Sequence, residues 1–239
     1  MDKTVDFAGL QVDNVTMEEA VGQVKEFIKS GQPHLITTPN PEIIVTSQTD
    51  QELKEIINHS ALRVPDGISM VVVSKILGHP LKERVSGIDL MLRLMALSGQ
   101  EGYRVFLVGS AQGVAEQAAT NLKNKYHTNI VGILDGFFGD DSSAVKKIKE
   151  AKPDLLLVGL GGGKQERWLN RHLKELGVPV AMTIGGSLDV ISGLKKRAPQ
   201  WTQTLYIEWL YRLVTEPRRW KRQLALPRFL WLVLGPKIR

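Results

Sequence analysis

Four short segments of this 239-residue chain combine polar side chains with glycine or proline, each directly after an apolar stretch. They are residues 38–42 (TPNPE), 65–67 (PDG), 135–139 (DGFFG) and 161–166 (GGGKQE). Asp66 is the best candidate for chemistry, because a carboxylate between Pro and Gly at a strand end can point into a cleft and act as a general base. A helix N-cap selects the same residue type, so the pattern alone leaves both roles open.

Asn40 and the glycines of residues 159–163 have two interpretations of the same kind. Asn40 suits either a ligand contact or a turn. The glycines allow close approach of a ligand to the backbone, or they only make a tight turn. This loop is not a phosphate loop of the Walker type, since its spacing differs and Gln165 stands where Ser or Thr would hold magnesium.

Several other chemistries are excluded by what the sequence lacks. With no cysteine, it has no disulfide or thiolate metal site, which fits a reducing cytosol. Its five histidines lack metal-ligand spacing, and neither a G-x-S-x-G elbow nor an Asp-x-Asp element is present. An enzyme that acts on a diphosphate without a metal must neutralise it with Arg, Lys or backbone N–H groups.

Apolar strand-like segments alternate with helix-like segments through most of the chain. The predicted strands are residues 34–37, 61–64, 104–108, 129–133, 154–158 and 179–183. Helices are predicted over residues 16–30, 68–77 and 111–125, and from about 142 and 165, and Pro41 can begin another. This order predicts an α/β, Rossmann-like parallel sheet flanked by helices. Such sheets bind ligands beyond the carboxyl ends of their strands, where the four polar segments lie.

The last 46 residues differ from the rest in charge and in tryptophan content. Residues 194–239 hold 11 Lys and Arg against 2 Asp and Glu, a balance of +9, whereas residues 1–193 hold 20 against 23, or −3. Four of the five tryptophans lie in this tail: Trp201, Trp209, Trp220 and Trp231. Cations interleaved with indoles suit a membrane interface, although nucleic-acid phosphates attract such a surface too. We predict a catalytic domain over 1–193 and a membrane-associating appendage of short amphipathic helices over 194–239.

The apolar residues of the tail, above all residues 229–234, need a cover, because an exposed apolar patch promotes aggregation. A membrane surface and a second copy of the chain are both candidates, and an ordinary solvated helix pair is the plain alternative. The sequence shows neither a secretory signal nor a stretch of about 20 apolar residues. We therefore expect a chain that neither crosses a bilayer nor is exported by that route.

Taken together, the motifs resemble those of the WecG/TagA/CpsF glycosyltransferases. The matching segments, in the family's order and spacing, are residues 38–42, 65–67, 83–89 (ERVSGID), 158–161 (VGLG), 164–168 (KQERW), 208–212 (EWLYR) and 216–219 (EPRR). They cover nearly the whole chain. One departure is the run of glycines at 161–163, where many relatives have a bulkier residue and a proline.

The resemblance implies an inverting transfer that needs no metal and no cofactor. In members of the TagA type, N-acetylmannosamine moves from UDP to the 4-hydroxyl of GlcNAc-diphospho-undecaprenol during wall teichoic acid synthesis. Asp66 then becomes the base that deprotonates the acceptor, and Arg84 offsets charge on the leaving diphosphate, a salt bridge to Glu83 or another carboxylate being the alternative. The other implied substrate contacts are Thr38, Asn40 and Gln165 at the sugar nucleotide, Asp135, Gly136, Phe137, Gly185 and Asp189 at uridine, and Arg212, Arg219 and Arg222 in the tail.

The partners implied are a UDP-sugar, a lipid-linked GlcNAc acceptor and the cytoplasmic face of the cell membrane, with a homo-oligomer as a further option and no nucleic acid. A relative that transfers N-acetylmannosaminuronic acid or a hexose is the enzymatic alternative. N-acetylmannosamine is favoured because neither residues 37–42 nor residues 64–67 contain an arginine for a sugar carboxylate. The alternative of another class is a non-catalytic nucleotide or nucleic-acid binder, although base-stacking aromatics are sparse outside the tail.

Overall fold

The computed structural model describes residues 2–199, 202, 211 and 224–235 of the chain. The strands in these ranges are β1 Thr4–Phe7, β2 Leu10–Asp13, β3 His34–Thr37, β4 Leu62–Arg63, β5 Arg104–Gly109, β6 Asn129–Leu134, β7 Leu155–Gly159 and β8 Val180–Thr183. The helices are α1 Met17–Ser30, α2 Pro41–Thr46, α3 Gln51–Asn58, α4 Ile68–Ile76, α5 Gly87–Glu101, α6 Val114–Tyr126, α7 Asp141–Ala151, α8 Lys164–Leu176, α9 Ser187–Ile191 and α10 Ala225–Leu234.

Six strands form one sheet in the order β4-β3-β8-β7-β5-β6, and every neighbouring pair is parallel. The predicted α/β class and the six predicted strands are thereby confirmed. Because all six strands run the same way, their carboxyl ends meet at one edge of the sheet, and the loops that leave this edge lie side by side.

Helices cover both faces of this sheet, as the apolar strands require. In β7, the side chains of Leu155 and Leu157 pack into one apolar cluster, whereas those of Leu156 and Val158 pack into a second cluster on the opposite face. Residues of α1, α5 and α6 complete the first cluster, and residues of α7 and α8 complete the second. Successive side chains of a strand point to opposite faces, so a strand buried on both sides must be apolar at every position.

A third apolar cluster lies beside the sheet and contains elements that the sequence pattern did not predict. The antiparallel hairpin of β1 and β2 contributes Phe7 and Leu10, which are fully buried. Helix α3 packs in the same cluster, while α5 lies on the sheet. The hairpin strands have four residues each, so their alternation is too short to be recognised without the partners that bury them.

The beginnings of two helices show how local capping decides a boundary. For α1 the predicted capping box is confirmed: Thr16 Oγ1 accepts from the Glu19 N–H at 3.2 Å, and the Glu19 carboxylate accepts from the Thr16 N–H at 2.8 Å. The predicted start of α6 at residue 111 was wrong, since α6 begins at Val114. There Gly113 adopts a φ of 83°, and its N–H donates to the Glu116 carboxylate at 2.8 Å.

Helix α10, which lies in the tail, packs against α2 and α4 at the third cluster. Phe229 is fully buried, and its ring lies 5.9 Å from that of Phe7, centroid to centroid. Trp231 instead exposes 68% of its surface, next to the exposed side chains of Leu230 and Leu234. The apolar run is therefore covered on one side by the body of the protein. None of the helices in the described ranges is long and apolar enough to span a bilayer.

Candidate active site

Asp66 lies at the carboxyl edge of the sheet, in the loop that joins β4 to α4. Its N–H donates to the carbonyl of Pro39 at 2.9 Å, so this loop is fixed to the loop that follows β3. A Cβ on Gly67 would approach Cδ of Pro41 to 3.1 Å, which explains why a glycine follows the aspartate. The N-cap residue of helix α4 is Gly67, which has no side chain for a capping bond. The alternative that Asp66 is the N-cap residue is therefore wrong.

Arg84 is the cation next to Asp66. Its Nη2 lies 3.9 Å from Oδ1 of Asp66, and the two side chains are only 20% and 27% exposed. Arg84 therefore forms an ion pair with a carboxylate, as the alternative role of this residue also requires, and its partner here is Asp66. The Glu83 carboxylate accepts from the Met17 N–H at the start of α1 at 2.5 Å. A carboxylate and a guanidinium therefore share one partly exposed position, where a proton acceptor and a positive charge are available together.

Thr38 and the start of α5 complete the surroundings of Asp66. Thr38 is buried, and a Cβ on Gly87 would lie 3.0 Å from Cγ2 of Thr38 and 3.3 Å from Oδ2 of Asp66. The absence of a side chain at Gly87 lets the first turn of α5 approach the carboxylate closely. Gly87 belongs to the family motif of residues 83–89, but the need for a glycine at this position is visible only in the fold.

Asn40 has a structural role that the sequence left open. Its Oδ1 accepts from the Ile43 N–H at 3.0 Å, so Asn40 is the N-cap of α2, with Pro41 as the first helical residue. The cap occupies the carbonyl oxygen of the side chain. Since an amide also carries two N–H donors, the predicted contact with the sugar nucleotide is compatible with the cap and stays a prediction.

At the other half of the carboxyl edge, where β5, β7 and β8 end, the backbones of neighbouring strand ends are packed directly against each other. A Cβ on Gly109 would lie 2.4 Å from the carbonyl oxygen of Gly159, and a Cβ on Gly159 would lie 2.4 Å from that of Gly185. Real Cβ contacts are never that short, so these loops can lie this close together only because the residues at positions 109 and 159 are glycines. At these three glycines the edge presents backbone rather than side chains.

Gln165, in the first turn of α8, is buried in the same region. Its Oε1 accepts from the Gly185 N–H at 3.1 Å, and its Nε2 donates to the Glu166 carboxylate at 2.8 Å. The structure thereby brings two predicted site residues, Gln165 and Gly185, into direct contact. Their predicted contacts with the donor stay predictions.

The loop that follows β6 is a tight turn with an exposed aromatic ring at its tip. Oδ1 of Asp135 accepts from the Phe137 N–H at 2.8 Å, and the Gly136 N–H donates to the Ser110 carbonyl at 2.7 Å. Phe137 is 80% exposed. The turn presents this ring at the carboxyl edge, where a planar base could stack on it.

Asp189 is held by two neighbours at the ends of β5 and β8. It accepts a hydrogen bond from the hydroxyl of Ser110, and its Oδ2 lies 2.5 Å from Nζ of Lys195. Asp189 lies in the short helix α9, which begins at Ser187 directly after Gly185 and Gly186. Sequence reasoning missed Ser110 and Lys195, which are brought to Asp189 only by folding.

The remaining predicted contacts, Arg212, Arg219 and Arg222, lie outside the described residues. Among the residues that the structure does describe, no three His, Asp or Glu side chains cluster in a way that could hold a metal ion. The positive charge that the structure places beside Asp66 belongs to Arg84.

A parallel sheet with a carboxylate and an arginine at its carboxyl edge is suited to an enzyme that deprotonates a hydroxyl beside a phosphate group. Sequence comparison agrees with this class, because residues 5–239 match the glycosyl transferase WecG/TagA/CpsF family. The chain belongs to this family and is a glycosyltransferase.

Two relatives are similar to the chain over most of its length. A protein of Staphylococcus aureus is 36% identical over 236 residues, which cover 98% of this chain and 93% of the relative. A protein of Bacillus subtilis strain 168 is 33% identical over 211 residues, or 88% and 82% of the two chains. Both carry the name N-acetylglucosaminyldiphosphoundecaprenol N-acetyl-beta-D-mannosaminyltransferase.

Proposed function

We propose that this glycosyltransferase moves N-acetylmannosamine from UDP-N-acetylmannosamine to the 4-hydroxyl of GlcNAc-diphospho-undecaprenol. The product has a β-1,4 linkage and belongs to the linkage unit of wall teichoic acid. The names of both relatives support the acceptor and the sugar. The observation that carries the proposal on this chain is the pair of Asp66 and Arg84 at the carboxyl edge of the sheet.

The proposed reaction is a single displacement with inversion at the anomeric carbon. Asp66 takes the proton of the acceptor hydroxyl while the hydroxyl oxygen attacks that carbon. The bond from the carbon to the β-phosphate oxygen breaks, and UDP leaves with the electron pair. A base held at the reacting hydroxyl contributes about 10²–10⁴-fold to such a rate.

Arg84 supplies positive charge where negative charge develops on the departing diphosphate. Its guanidinium is mostly shielded from water, with 20% of the side chain exposed, so its field is less screened than that of a surface arginine. Arg212, Arg219 and Arg222 are proposed to add charge from the tail. We propose that these cations take the part that a metal ion plays in other sugar-nucleotide transferases.

The donor is proposed to lie across the ends of β5, β7 and β8. A Cβ on Gly161 or Gly162 would meet nothing within 4 Å, so the loop after β7 has open space there, and the exposed ring of Phe137 stands at the same edge. Asp135, Gly136, Gly185 and Asp189 are proposed to contact the uridine. Thr38, Asn40 and Gln165 are proposed to line the sugar-nucleotide site towards Asp66.

The lipid acceptor implies that the enzyme works on the cytoplasmic face of the cell membrane, as a peripheral protein. The exposed side of α10, with Trp231 68% exposed, is compatible with contact to lipid or to a second copy of the chain. We propose the membrane surface as its partner and keep the homo-oligomer as the alternative. Nucleic acid is not proposed as a partner.

The proposal is tested by incubating the full chain with UDP-N-acetylmannosamine and a short-lipid GlcNAc-diphosphate acceptor, with EDTA in one arm and magnesium in the other. UDP release and the lipid product are both followed, and the linkage is read by NMR. We expect equal product in both arms. Product only with magnesium would contradict the proposed metal independence and leave the transfer itself intact.

The same assay separates the alternatives. Turnover with UDP-N-acetylmannosaminuronic acid or a UDP-hexose, and not with UDP-N-acetylmannosamine, would overturn the proposed sugar while the enzyme class stands. If UDP binds and no donor reacts in the presence of vesicles, the site belongs to a nucleotide-binding protein, and the proposed function is wrong.

A further inference from the structure

Glu166 is a fully buried carboxylate in the first turn of α8, and the proposed mechanism does not use it. Its Oε2 accepts from the Gly163 N–H at 2.7 Å, and its Oε1 accepts from Nε2 of Gln165 at 2.8 Å. Burial raises the pKa of this carboxyl above its usual value, and the bonds from Gln165 and Gly163 oppose that rise. A charged group is costly to bury unless its hydrogen bonds are all made.

The polarity of this network is fixed at both ends by backbone donors. The Gly185 N–H can only donate, so the oxygen of the Gln165 amide must face it, and the amide nitrogen must then face Glu166. At the other end the Gly163 N–H also requires an acceptor. Only a residue with two accepting oxygens at position 166 satisfies both neighbours at once.

The bond to Gly163 alone has a plain structural explanation, because Gly163 is the N-cap of α8 and leaves an N–H to be satisfied. The bond to Gln165 has no such explanation, since it serves no helix end. It orients an amide that reaches across to Gly185, at the end of the neighbouring strand β8. The same glycine is fixed from the other side, where its carbonyl oxygen lies against Gly159.

We propose that Glu166 is a positioning residue for the donor: through the amide of Gln165 it fixes the Gly185 peptide and so holds the glycine loops after β7 and β8 in one arrangement. The inference rests on the proposed function in one respect only, namely that these loops bind the sugar nucleotide. Arg167 supports the same loop, since its Nη1 donates to the Gly163 carbonyl at 3.0 Å, and it is anchored by ion pairs to Asp50 and Glu52.

The hydrogen bonds that run from Gly163 through Glu166 and Gln165 to Gly185 form a relay. This relay predicts different results for a single substitution at position 166 and for an exchange of the side chains at positions 165 and 166. Glu166→Gln places an amide nitrogen against either the Gly163 N–H or Nε2 of Gln165, so one contact must break. If Gln165 turns over to accept from it, the nitrogen of Gln165 faces the Gly185 N–H instead. The double variant Gln165→Glu with Glu166→Gln restores an acceptor at every position, because a carboxylate then faces Gly185 and an amide bridges it to Gly163.

Hydrogen exchange at the Gly185 amide reads the relay without any substrate. Ile184–Gly185 is the only Ile-Gly pair in the sequence, so labelling with carbonyl-¹³C isoleucine and ¹⁵N glycine selects this one amide by NMR. We expect Glu166→Gln to speed its exchange about tenfold or more, as for the loss of one hydrogen bond to a charged network. In the double variant Gln165→Glu with Glu166→Gln, the exchange rate of the Gly185 amide should return to within about threefold of the wild-type rate.

Steady-state kinetics then connects the relay to the donor. We expect Glu166→Gln to raise KM for the donor about tenfold while kcat changes less than threefold, because Asp66 and Arg84 are untouched. A merely structural carboxylate would lower the active fraction and so reduce kcat at constant KM. That result, or unchanged exchange at Gly185 in Glu166→Gln, would overturn the proposal.

The double variant also tests the proposed role of Glu166 if the single variant Glu166→Gln does not fold. In that case the double variant must still fold and protect the Gly185 amide, and rapid exchange there would overturn the proposal. Failure of the proposed function looks different, since the wild-type chain would then turn over no donor although the exchange rates still follow the hydrogen bonds.

Discussion

The two halves of the sheet's carboxyl edge are built in opposite ways. At β3 and β4, side chains meet: Asp66 and Arg84 approach to 3.9 Å and both are partly exposed. At β7 and β8, the backbone is packed so closely that glycines are required, and the carboxylate in the first turn of α8, Glu166, is fully buried. Asp66 is accessible for proton transfer, whereas Glu166 can act only through the groups that it holds in place.

Two acidic residues at one edge of a sheet therefore need not share a function. A partly exposed carboxylate beside a cation can exchange protons with a substrate, because water and ligand both reach it. A carboxylate that is fully buried, as Glu166 is, cannot be reached by a substrate. The predictions below test each half by changes that should not affect the other.

The largest effect is expected for Asp66→Asn. Loss of the base should reduce kcat by about 10²–10⁴-fold, with nucleotide binding retained, because the amide keeps the shape and cannot accept the proton. Steady-state turnover and UDP titration are the measurements. Asp154→Asn, at the opposite end of the sheet where the carboxylate accepts from the Arg104 N–H, is the matched control. Equal losses in the two variants would remove Asp66 from the mechanism.

Gly159→Ala tests the backbone-packed half. The new Cβ would lie 2.4 Å from the Gly185 carbonyl oxygen, so the loops must separate, at a cost of about 1–3 kcal/mol in the free energy of unfolding. Donor KM should rise as well. Gly162→Ala is the control in the same loop, because a Cβ there meets nothing within 4 Å. Denaturant unfolding of both variants checks this, and similar stabilities would show that the close packing is not required.

Two substitutions of Asn40 separate its role as the N-cap of α2 from its predicted contact with the substrate. Asn40→Ala removes the acceptor for the Ile43 N–H and should lower the free energy of unfolding by about 1 kcal/mol. Asn40→Asp keeps the cap and removes the N–H donors. If those donors bind the sugar nucleotide, Asn40→Asp loses donor affinity at nearly wild-type stability. Full donor affinity in Asn40→Asp would leave Asn40 with the cap alone.

The smallest expected effect is a change in the free energy of unfolding with pH, which has opposite signs for the carboxyl groups of Glu166 and Asp50. Burial raises the pKa of Glu166, so the folded state holds its proton at pH values where the unfolded chain has released it, and stability falls as pH rises above about 4.5. The hydrogen bond from Arg167 lowers the pKa of Asp50, whose contribution is instead lost as pH falls below its ordinary value of 3.8.

Urea unfolding between pH 3 and pH 8 measures both. Relative to wild type, Glu166→Gln should gain stability as pH rises from about 4.5, whereas Asp50→Asn should lose stability as pH rises from about 3. Differences that stay constant with pH would mean that neither carboxyl changes its pKa on folding. The Asp50 effect should be the smaller, since its side chain is 23% exposed and water screens the pair.

The sheet could be predicted because its signals are local. Runs such as residues 155–158 are apolar at every position, and this is sufficient to indicate a buried parallel strand. The capping box of Thr16 and Glu19 is likewise complete within four residues. The hairpin of β1 and β2 was missed because what stabilises it, burial of Phe7 against Phe229, joins residues at opposite ends of the chain.

The candidate site, too, could be predicted only where its signals are local in the sequence. Residue type and short-range order in the sequence were sufficient to identify the family, the six parallel strands and the strand ends after which Asp66, Asn40 and Gln165 lie. Only the tertiary structure decided that Arg84 faces Asp66, that Ser110 and Lys195 hold Asp189, and that Glu166 reaches Gly185 through Gln165. Gln165 and Glu166 are adjacent, and Lys195 follows Asp189 by six residues. The other contacts join residues farther apart in sequence, and the packing of strands and helices brings them within a few ångströms.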